Sequence, residues 1–419
     1  MISDGGHAME DTVRGGSAEA AYGEEVWPLP RRCPLAPPPG LAERRRTAPV
    51  SRIRLWDGSS AWVVTRYDDV RAVLSDPRTS VDPRIDGYPQ VNASLGAVRH
   101  AERSMLNMDD PEHAAVRRRV SGQFTVRKVE ALRPVVQRVV DERVDDLLAG
   151  PRPADFVHGF ALAVPLGIIC ELLGVPFGDR ALFEGWTATM FDPAAGPEKS
   201  IAASRAMSDY LARLVRARKE DPQDDLLSSL VSGQQDASAM TEAELANLAR
   251  VLLIAGHETT AATIALGTLH LLENPAQAAE LRDTTDPVLV AGAVEELLRI
   301  TTVVQSGRRR VATADIELGG QLIRKGEGIV VAGDAANRDP AVFADPDTLD
   351  IHRGARHHVT FGYGVHQCLG QVLARAELQT VFGTLFRRIP RLALAVPAAE
   401  LRFKDDMVTY GVHSMPVTW

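Results

Sequence analysis

Between Glu242 and Leu272 apolar and small side chains recur at helical spacing for about 31 residues, and no other segment limits the architecture as strongly. At about 1.5 Å rise per residue such a helix is roughly 46 Å long, enough to cross a whole domain. Val251–Leu272 is nearly long enough to span a bilayer. His257, Glu258, Thr259 and Thr260 interrupt it, however, and charge is costly in lipid. The pattern predicts a buried core helix with a functional interruption, not a membrane span. An acid and an alcohol inside a buried helix are costly unless they are used. Thr259 is placed to hydrogen-bond back to the carbonyl of Ala255, which predicts a local widening of the helix.

Helical spacing also runs through Val129–Leu148, Phe156–Leu173, Ile201–Arg218, Pro287–Arg299 and about Leu369–Arg388. Arg52–Trp56 and Ala61–Thr65 flank Asp57-Gly58 and predict a β-hairpin. Val303–Gly333 reads as short strands with glycine turns, and Asp339–Arg356 as irregular. The fold class is therefore mainly α, a large helical domain with a small β-rich region. Residues 1–27 lack periodicity and are expected to be poorly ordered; 28–419 form one domain, with no repeat or linker dividing it. Pro28–Gly40, with six prolines, is expected to lie extended on the surface. The net charge of −8 argues against a nucleic-acid binder. Cys33, Cys170 and Cys368 are too few for a disulfide framework, and the acidic N-terminus shows no signal peptide, so a reducing cytoplasm is expected. Cys33 reads as a surface or packed thiol and Cys170 as a core filler.

Cys368 differs. The run from Phe361 to Gly370 sets Gly362, Gly364 and Gly370 around it, just ahead of a helix. Glycines permit a tight loop and close approach of backbone to a flat ligand. Backbone N–H groups and the following helix dipole favour a thiolate, a good axial ligand for haem iron. Zinc is the alternative for this set, with His357, His358, His366 and Cys368 as N and S donors.

The ten residues 361–370 resemble the haem-binding loop of the cytochrome P450 family, and three further motifs in the same order extend the resemblance from residue 113 to 370. The resemblance implies haem b between the long distal helix and the proximal loop, with Cys368 as the iron ligand and Phe361 beside the sulfur. It assigns His366, His113, Arg117 and Arg310 to the haem propionates, although Arg310 also reads as a solvated member of Arg308–Arg310. Ala255 and Gly256 leave room for O2, and Glu258–Thr259 resembles the family's proton-delivering acid–alcohol pair. Glu296, Arg299 and Arg353 resemble its structural Glu–Arg–Arg cluster; Asn337–Pro340 also matches.

The same resemblance implies a monooxygenase that takes O2 and two electrons from a ferredoxin with its NAD(P)H-dependent reductase. The tail Tyr410–Trp419 resembles that of actinobacterial members acting on bulky apolar molecules. A macrolide or other polyketide is the first substrate reading; terpenoid, sterol-like or foreign compounds are the second, and a haem protein without turnover is a further alternative. Neither membrane nor nucleic acid is an expected partner, and a monomer is expected. The redox partner is expected to dock on Arg117–Arg119, Arg127, Lys128 and Arg375. Substrate contacts are expected from Pro83–Val98, Thr187–Ala195, Leu253–Thr259, Val303–Ser306 and Met407–Val412.

Overall fold

The computed structural model describes residues 25–90, 103–191, 195–232 and 240–419. Its helices, in chain order, are α1 (Pro39–Thr47), α2 (Tyr67–Ser75), α3 (Glu112–Ser121), α4 (Val126–Ala149), α5 (Ala163–Leu173), α6 (Arg180–Phe191), α7 (Pro197–Glu220), α8 (Leu226–Ser232), α9 (Glu242–Leu272), α10 (Pro275–Asp283), α11 (Pro287–Thr301), α12 (Gly333–Ala336) and α13 (Gln371–Arg388). The strands are β1 (Val50–Arg54), β2 (Ser60–Val64), β3 (Thr79–Ser80), β4 (Ala154–Asp155), β5 (Arg308–Ala312), β6 (Ile316–Leu318), β7 (Gln321–Ile323), β8 (Gly328–Val331), β9 (Ala393–Leu394) and β10 (Pro416–Thr418).

The expected hairpin is β1–β2, with Ile53 opposite Ala61. It extends into a five-stranded sheet ordered β1-β2-β8-β5-β3, in which β2 and β8 run parallel and Trp62 faces Ile329. This sheet carries its own apolar packing, separate from the main helical core that surrounds α9.

The long helix α9 begins at a capping box. The Glu244 N–H donates to Thr241 Oγ1 at 3.2 Å, and the Thr241 N–H donates to Glu244 Oε2 at 2.7 Å. From Thr260 to Leu271 every residue is buried, so the helix is held on all sides and not by one face. It packs tightly against α13 at Gly267, where an added Cβ would sit 2.7 Å from the ring tip of Phe382. Phe382 is itself buried and cannot yield. Gly267→Ala is therefore expected to cost about 1–3 kcal/mol by overpacking, read as a lowered midpoint in chemical denaturation. An unchanged midpoint would mean that α9 and α13 part freely.

Three expectations need correction. The expectation of poor order does not hold for Val26 and Trp27: Val26 bridges to Arg54, and Trp27 is buried with its indole N–H donating to the Ser306 carbonyl at 2.9 Å. Large aromatics order a chain end wherever they find an apolar slot, here one shared with Leu41 and Ile53. Residues 1–24 lie outside the described residues. The proline-rich stretch is not extended throughout, because Pro39 opens α1, where its missing N–H costs nothing. The widening expected at Thr259 is also absent. The Thr259 hydroxyl does donate to the Ala255 carbonyl at 2.8 Å, but α9 remains α-helical through that turn. A π-turn occurs instead at Val157–Ala161, leading into α5.

Among the described residues no helix is long and apolar enough to cross a membrane. Cys33 is exposed; Cys170 is buried in α5, where burial pushes its thiol up to about 12.

Candidate active site

The Cys368 loop is shaped by its glycines and held by its neighbours. Gly362 and Gly364 both adopt positive φ, at 76° and 75°, and a Cβ on Gly364 would meet the Leu74 carbonyl at 2.6 Å. The Cys368 N–H donates back to the Phe361 carbonyl at 2.8 Å, which closes the turn. Arg117 on α3 donates to the Gln367 carbonyl at 2.7 Å, so in this structure its guanidinium braces the loop. Arg308 donates to the Thr360 carbonyl.

Cys368 lies deep in the protein and burial pushes its thiol up. The Gly370 N–H and the guanidiniums of Arg308, Arg117 and Arg375 pull the other way. Arg308 is similarly enclosed, and burial, with Arg310 beside it, draws its guanidinium down to about 10. Yet both residues keep accessible surface. Surface on an enclosed residue opens inward, so the two face an interior space. Ala255 is accessible and Gly256 and Thr259 are partly so, although the helix around them is buried; they open in the same manner.

A group of bases gathers beside the loop. The His113 and His366 rings lie 4.1 Å apart. Burial, with His113 and Arg310 beside it, pulls the His366 imidazole down to about 4. Arg310 is buried, and desolvation lowers it as well. His113 is held by Asp110, 3.0 Å from its Nδ1. Three nitrogen bases gathered at the edge of an interior space suit the carboxylates of a ligand. With one deep thiol flanked by N–H donors and cations, this arrangement fits haem b. It does not fit zinc, since His357 stacks on Phe343 at 4.6 Å and His358 lies 3.2 Å from Glu295. Among the described residues no group of three metal-binding side chains occurs.

Below the loop, Glu296 and Arg299 are fully buried on α11 and form two hydrogen bonds of 2.7 Å. Arg353 Nε reaches Glu296 Oε1 at 3.1 Å and its guanidinium holds the Thr348 carbonyl. Arg299 also caps the carbonyls of Asn337 and Pro346. Asn337 in turn donates to Thr360 Oγ1 at 2.8 Å and accepts from the Val359 N–H, which ties this cluster to the start of the Cys368 loop.

Glu258 is buried, and its carboxylate meets Lys404 Nζ at 2.5 Å. His257 points elsewhere, with its Nε2 3.1 Å from the Leu162 carbonyl. Lys404 is a residue that sequence reasoning misses. Nothing in its local sequence marks it apart from rarity, for it is one of five lysines in a chain with 42 arginines. Arg308 is missed as well, though a signal exists: β5 alternates, so Arg308 and Arg310 share a face. Arg375, expected on an open docking face, is instead paired with Glu295 at 2.6 Å and stacked over Phe361 at 4.5 Å. Burial alone would raise the Glu295 carboxyl; His358 and Arg375 outweigh it and hold it at about 2. A helical arginine that follows a buried loop has a carboxylate of α11 within reach and pairs with it.

Of the expected substrate segments, 91–98 and 192–194 lie outside the described residues. Val304 bridges to Thr409, and the Tyr410 N–H donates to the Val303 carbonyl at 2.7 Å, so two of the others are joined. Tyr410 itself is buried, with its hydroxyl on the Pro34 carbonyl. A cavity of about 490 Å³ opens between apolar Met105, Met108, Val116, Met240, Leu248 and Val251 and polar Arg103, Ser104, Glu112, Glu244 and Asn247.

The cytochrome P450 family model matches residues 190–390. Cytochrome P450 GfsF of Streptomyces halstedii is 49% identical over 417 residues, which is 98% of this chain and all of that one. Its crystal structure superposes with a TM-score of 0.89, covering 94% of this chain and 100% of that one. The mycinamicin VIII C21 methyl hydroxylase MycCI from Micromonospora griseorubida, solved with mycinamicin VIII bound, is 42% identical and superposes at 0.86, covering 94% and 100%. Pentalenic acid synthase of Streptomyces avermitilis is 46% identical over 394 residues, 94% of this chain and 97% of that one. The Cys368 loop, the cationic edge, the buried Glu–Arg–Arg cluster and near-complete alignment with these relatives agree: the chain belongs to the cytochrome P450 family of haem b monooxygenases.

Proposed function

We propose that this chain oxidises a bulky apolar natural product, a macrolide or other polyketide, with electrons from a separate ferredoxin and its NAD(P)H-dependent reductase. The observation that carries the substrate class is the cavity beside Val251. Val251, which lines the cavity, stands one helical turn before Ala255 on α9. Its three methionines are flexible and polarisable, which suits a large and irregular apolar ligand. Likeness to a hydroxylase solved with mycinamicin VIII points the same way. Likeness to pentalenic acid synthase keeps a terpenoid as the second reading.

Bound haem supplies O2 activation and oxygen insertion. The protein's residues do the rest. Cys368 would hold the iron, with the Gly370 N–H on its sulfur. His113, His366 and Arg310 would take the propionates, while Arg117 braces the loop through the Gln367 carbonyl. Ala255 and Gly256 would leave space for O2, Thr259 would present a hydroxyl, and Glu258 would supply the proton. Arg118, Arg127 and Lys128 are exposed and supply the positive docking face near α3 and α4. Such rim charges act mainly on association rate and its salt dependence.

The test is an optical titration of the ferric protein against macrolides, terpenoids, sterol-like compounds and fatty acids. Macrolides are expected to shift the haem band toward high spin at micromolar concentration. A response to terpenoids alone would replace the substrate reading. A response to none of them would remove it.

A further inference from the structure

We propose that the N-terminal strap, Trp27–Pro38, braces Val303–Ser306 and Met407–Val412, the two segments expected to contact substrate, and that Trp27 and Arg31 are thereby positioning residues for bulky ligands. The inference rests on that reading of the two segments.

The two segments form one unit with little framework of its own. Neither contains a strand, and they meet at a single bridge, Val304 to Thr409. The Tyr410 N–H donates to the Val303 carbonyl at 2.7 Å, and Gln305 Nε2 donates to the Met407 carbonyl at 2.6 Å. Segments tied by few backbone hydrogen bonds open at low cost, so their position depends on what holds them from outside.

The strap supplies that hold. Its ends are anchored: the Trp27 N–H donates to the Arg54 carbonyl on β1 at 2.8 Å, and Pro39 opens α1. Between the anchors it reaches the unit at three places. Trp27 Nε1 donates to the Ser306 carbonyl at 2.9 Å. A Cβ on the next residue, Gly307, would stand 2.7 Å from the Val330 side chain and 3.5 Å from the Trp27 indole, so the chain passes closely between sheet and ring. The Tyr410 hydroxyl donates to the Pro34 carbonyl at 2.9 Å, and the Arg31 guanidinium lies over the Tyr410 ring at 4.0 Å. Tyr410 is therefore fixed to the strap by its side chain and to Val303 by its backbone.

Arg31 is the costly member. Its side chain is only 8% exposed, yet Nε and Nη2 have no hydrogen-bond partner and Asp334 stays 3.8 Å away. Nη1 donates to the Ala36 carbonyl at 2.7 Å, within the strap itself. A buried guanidinium so incompletely paired is a poor way to gain stability. What it does supply is a planar cation stacked on Tyr410, a contact that fixes the ring's position.

The experiment compares Trp27→Phe, which keeps a ring but loses the N–H, Arg31→Met and the double variant with wild type, all as holoenzyme. Two nitrogen ligands of haem iron are the probes in optical titration. Imidazole is small enough to reach the iron without pressing on the two segments; clotrimazole, a bulky trityl imidazole, is not. Hydrogen–deuterium exchange in 303–306 and 407–412 is followed by mass spectrometry. The double variant is expected to bind clotrimazole about fivefold or more weakly, as the loss of one hydrogen bond and one ring contact would give. Imidazole should bind within about twofold of wild type, with unchanged haem content. Exchange in both segments should rise, and exchange in α4, which the strap does not touch, should not.

Unchanged clotrimazole affinity with unchanged exchange would overturn the strap's role and leave the substrate reading of the two segments standing. Raised exchange with unchanged clotrimazole affinity would overturn that reading, and the proposal with it. Equal weakening of both probes would show that the strap acts on the haem site as a whole, which also overturns it. Absence of any imidazole response in wild type would instead count against the haem site itself. Should the double variant fold poorly, Trp27→Phe decides the matter, since it removes a single N–H: wild-type clotrimazole affinity and exchange there would overturn the proposal.

Discussion

Replacing Cys368 with Ala is expected to abolish stable haem incorporation, with at least a tenfold fall in haem per polypeptide after haem-replete expression and no oxygenation of any substrate. The effect is large because nothing nearby can substitute. Among the described residues this loop holds the one cysteine with cations converging on it, namely Arg308, Arg117 and Arg375. His366, two residues away, is engaged with His113 on the side of the loop assigned to the propionates. Without the thiolate, the cationic surroundings lack their balancing anion. Haem content is read from absorbance after extraction, with far-ultraviolet circular dichroism as a check on folding. Full haem content in a folded Cys368→Ala protein would refute the ligand assignment.

The second large effect is on stability. Glu296→Ala is expected to cost about 3–5 kcal/mol, because it leaves a fully buried arginine without its counter-charge. Arg299 has no route to water, and its carbonyl contacts do not neutralise it. Arg353 and the Asp350 N–H lose the same acceptor. The comparison is Glu130→Ala, which breaks an exposed pair with Arg133 on α4 and should change stability by about 0–1 kcal/mol. Both are read from chemical denaturation of the holoenzyme. Equal, small effects would show that the buried cluster does not secure the segments around the Cys368 loop.

Much of the fold and site is legible in the amino-acid sequence, for identifiable reasons. The helix Glu242–Leu272 declares itself because apolar and small side chains recur at helical spacing for about 31 residues, with His257–Thr260 as a recognisable interruption. The β1–β2 hairpin declares itself through Asp57-Gly58. The Cys368 loop is readable because the backbone requires glycine at 362 and 364. Pairs brought together by the fold are less accessible. Lys404 and Glu258 are separated by most of the C-terminal half, and no local pattern distinguishes a lysine that enters the core from one that does not. Arg375 reads as surface charge because its partner Glu295 sits 80 residues upstream. Trp27 reads as part of a loose end because its slot is assembled from α1, β1 and the Ser306 region.

The contact between Gly267 and Phe382 bears on more than packing. Helix α9 carries Ala255–Thr259, and α13 begins directly after the Cys368 loop, so the two helices behave as arms meeting at a fulcrum. The fulcrum lies roughly 18 Å along α9 from Ala255. A forced separation of the arms there would carry along them to the gap that must grip a flat macrocycle. The absence of one methyl group at residue 267 thus acts as a gauge for how tightly the distal and proximal faces close on their cofactor.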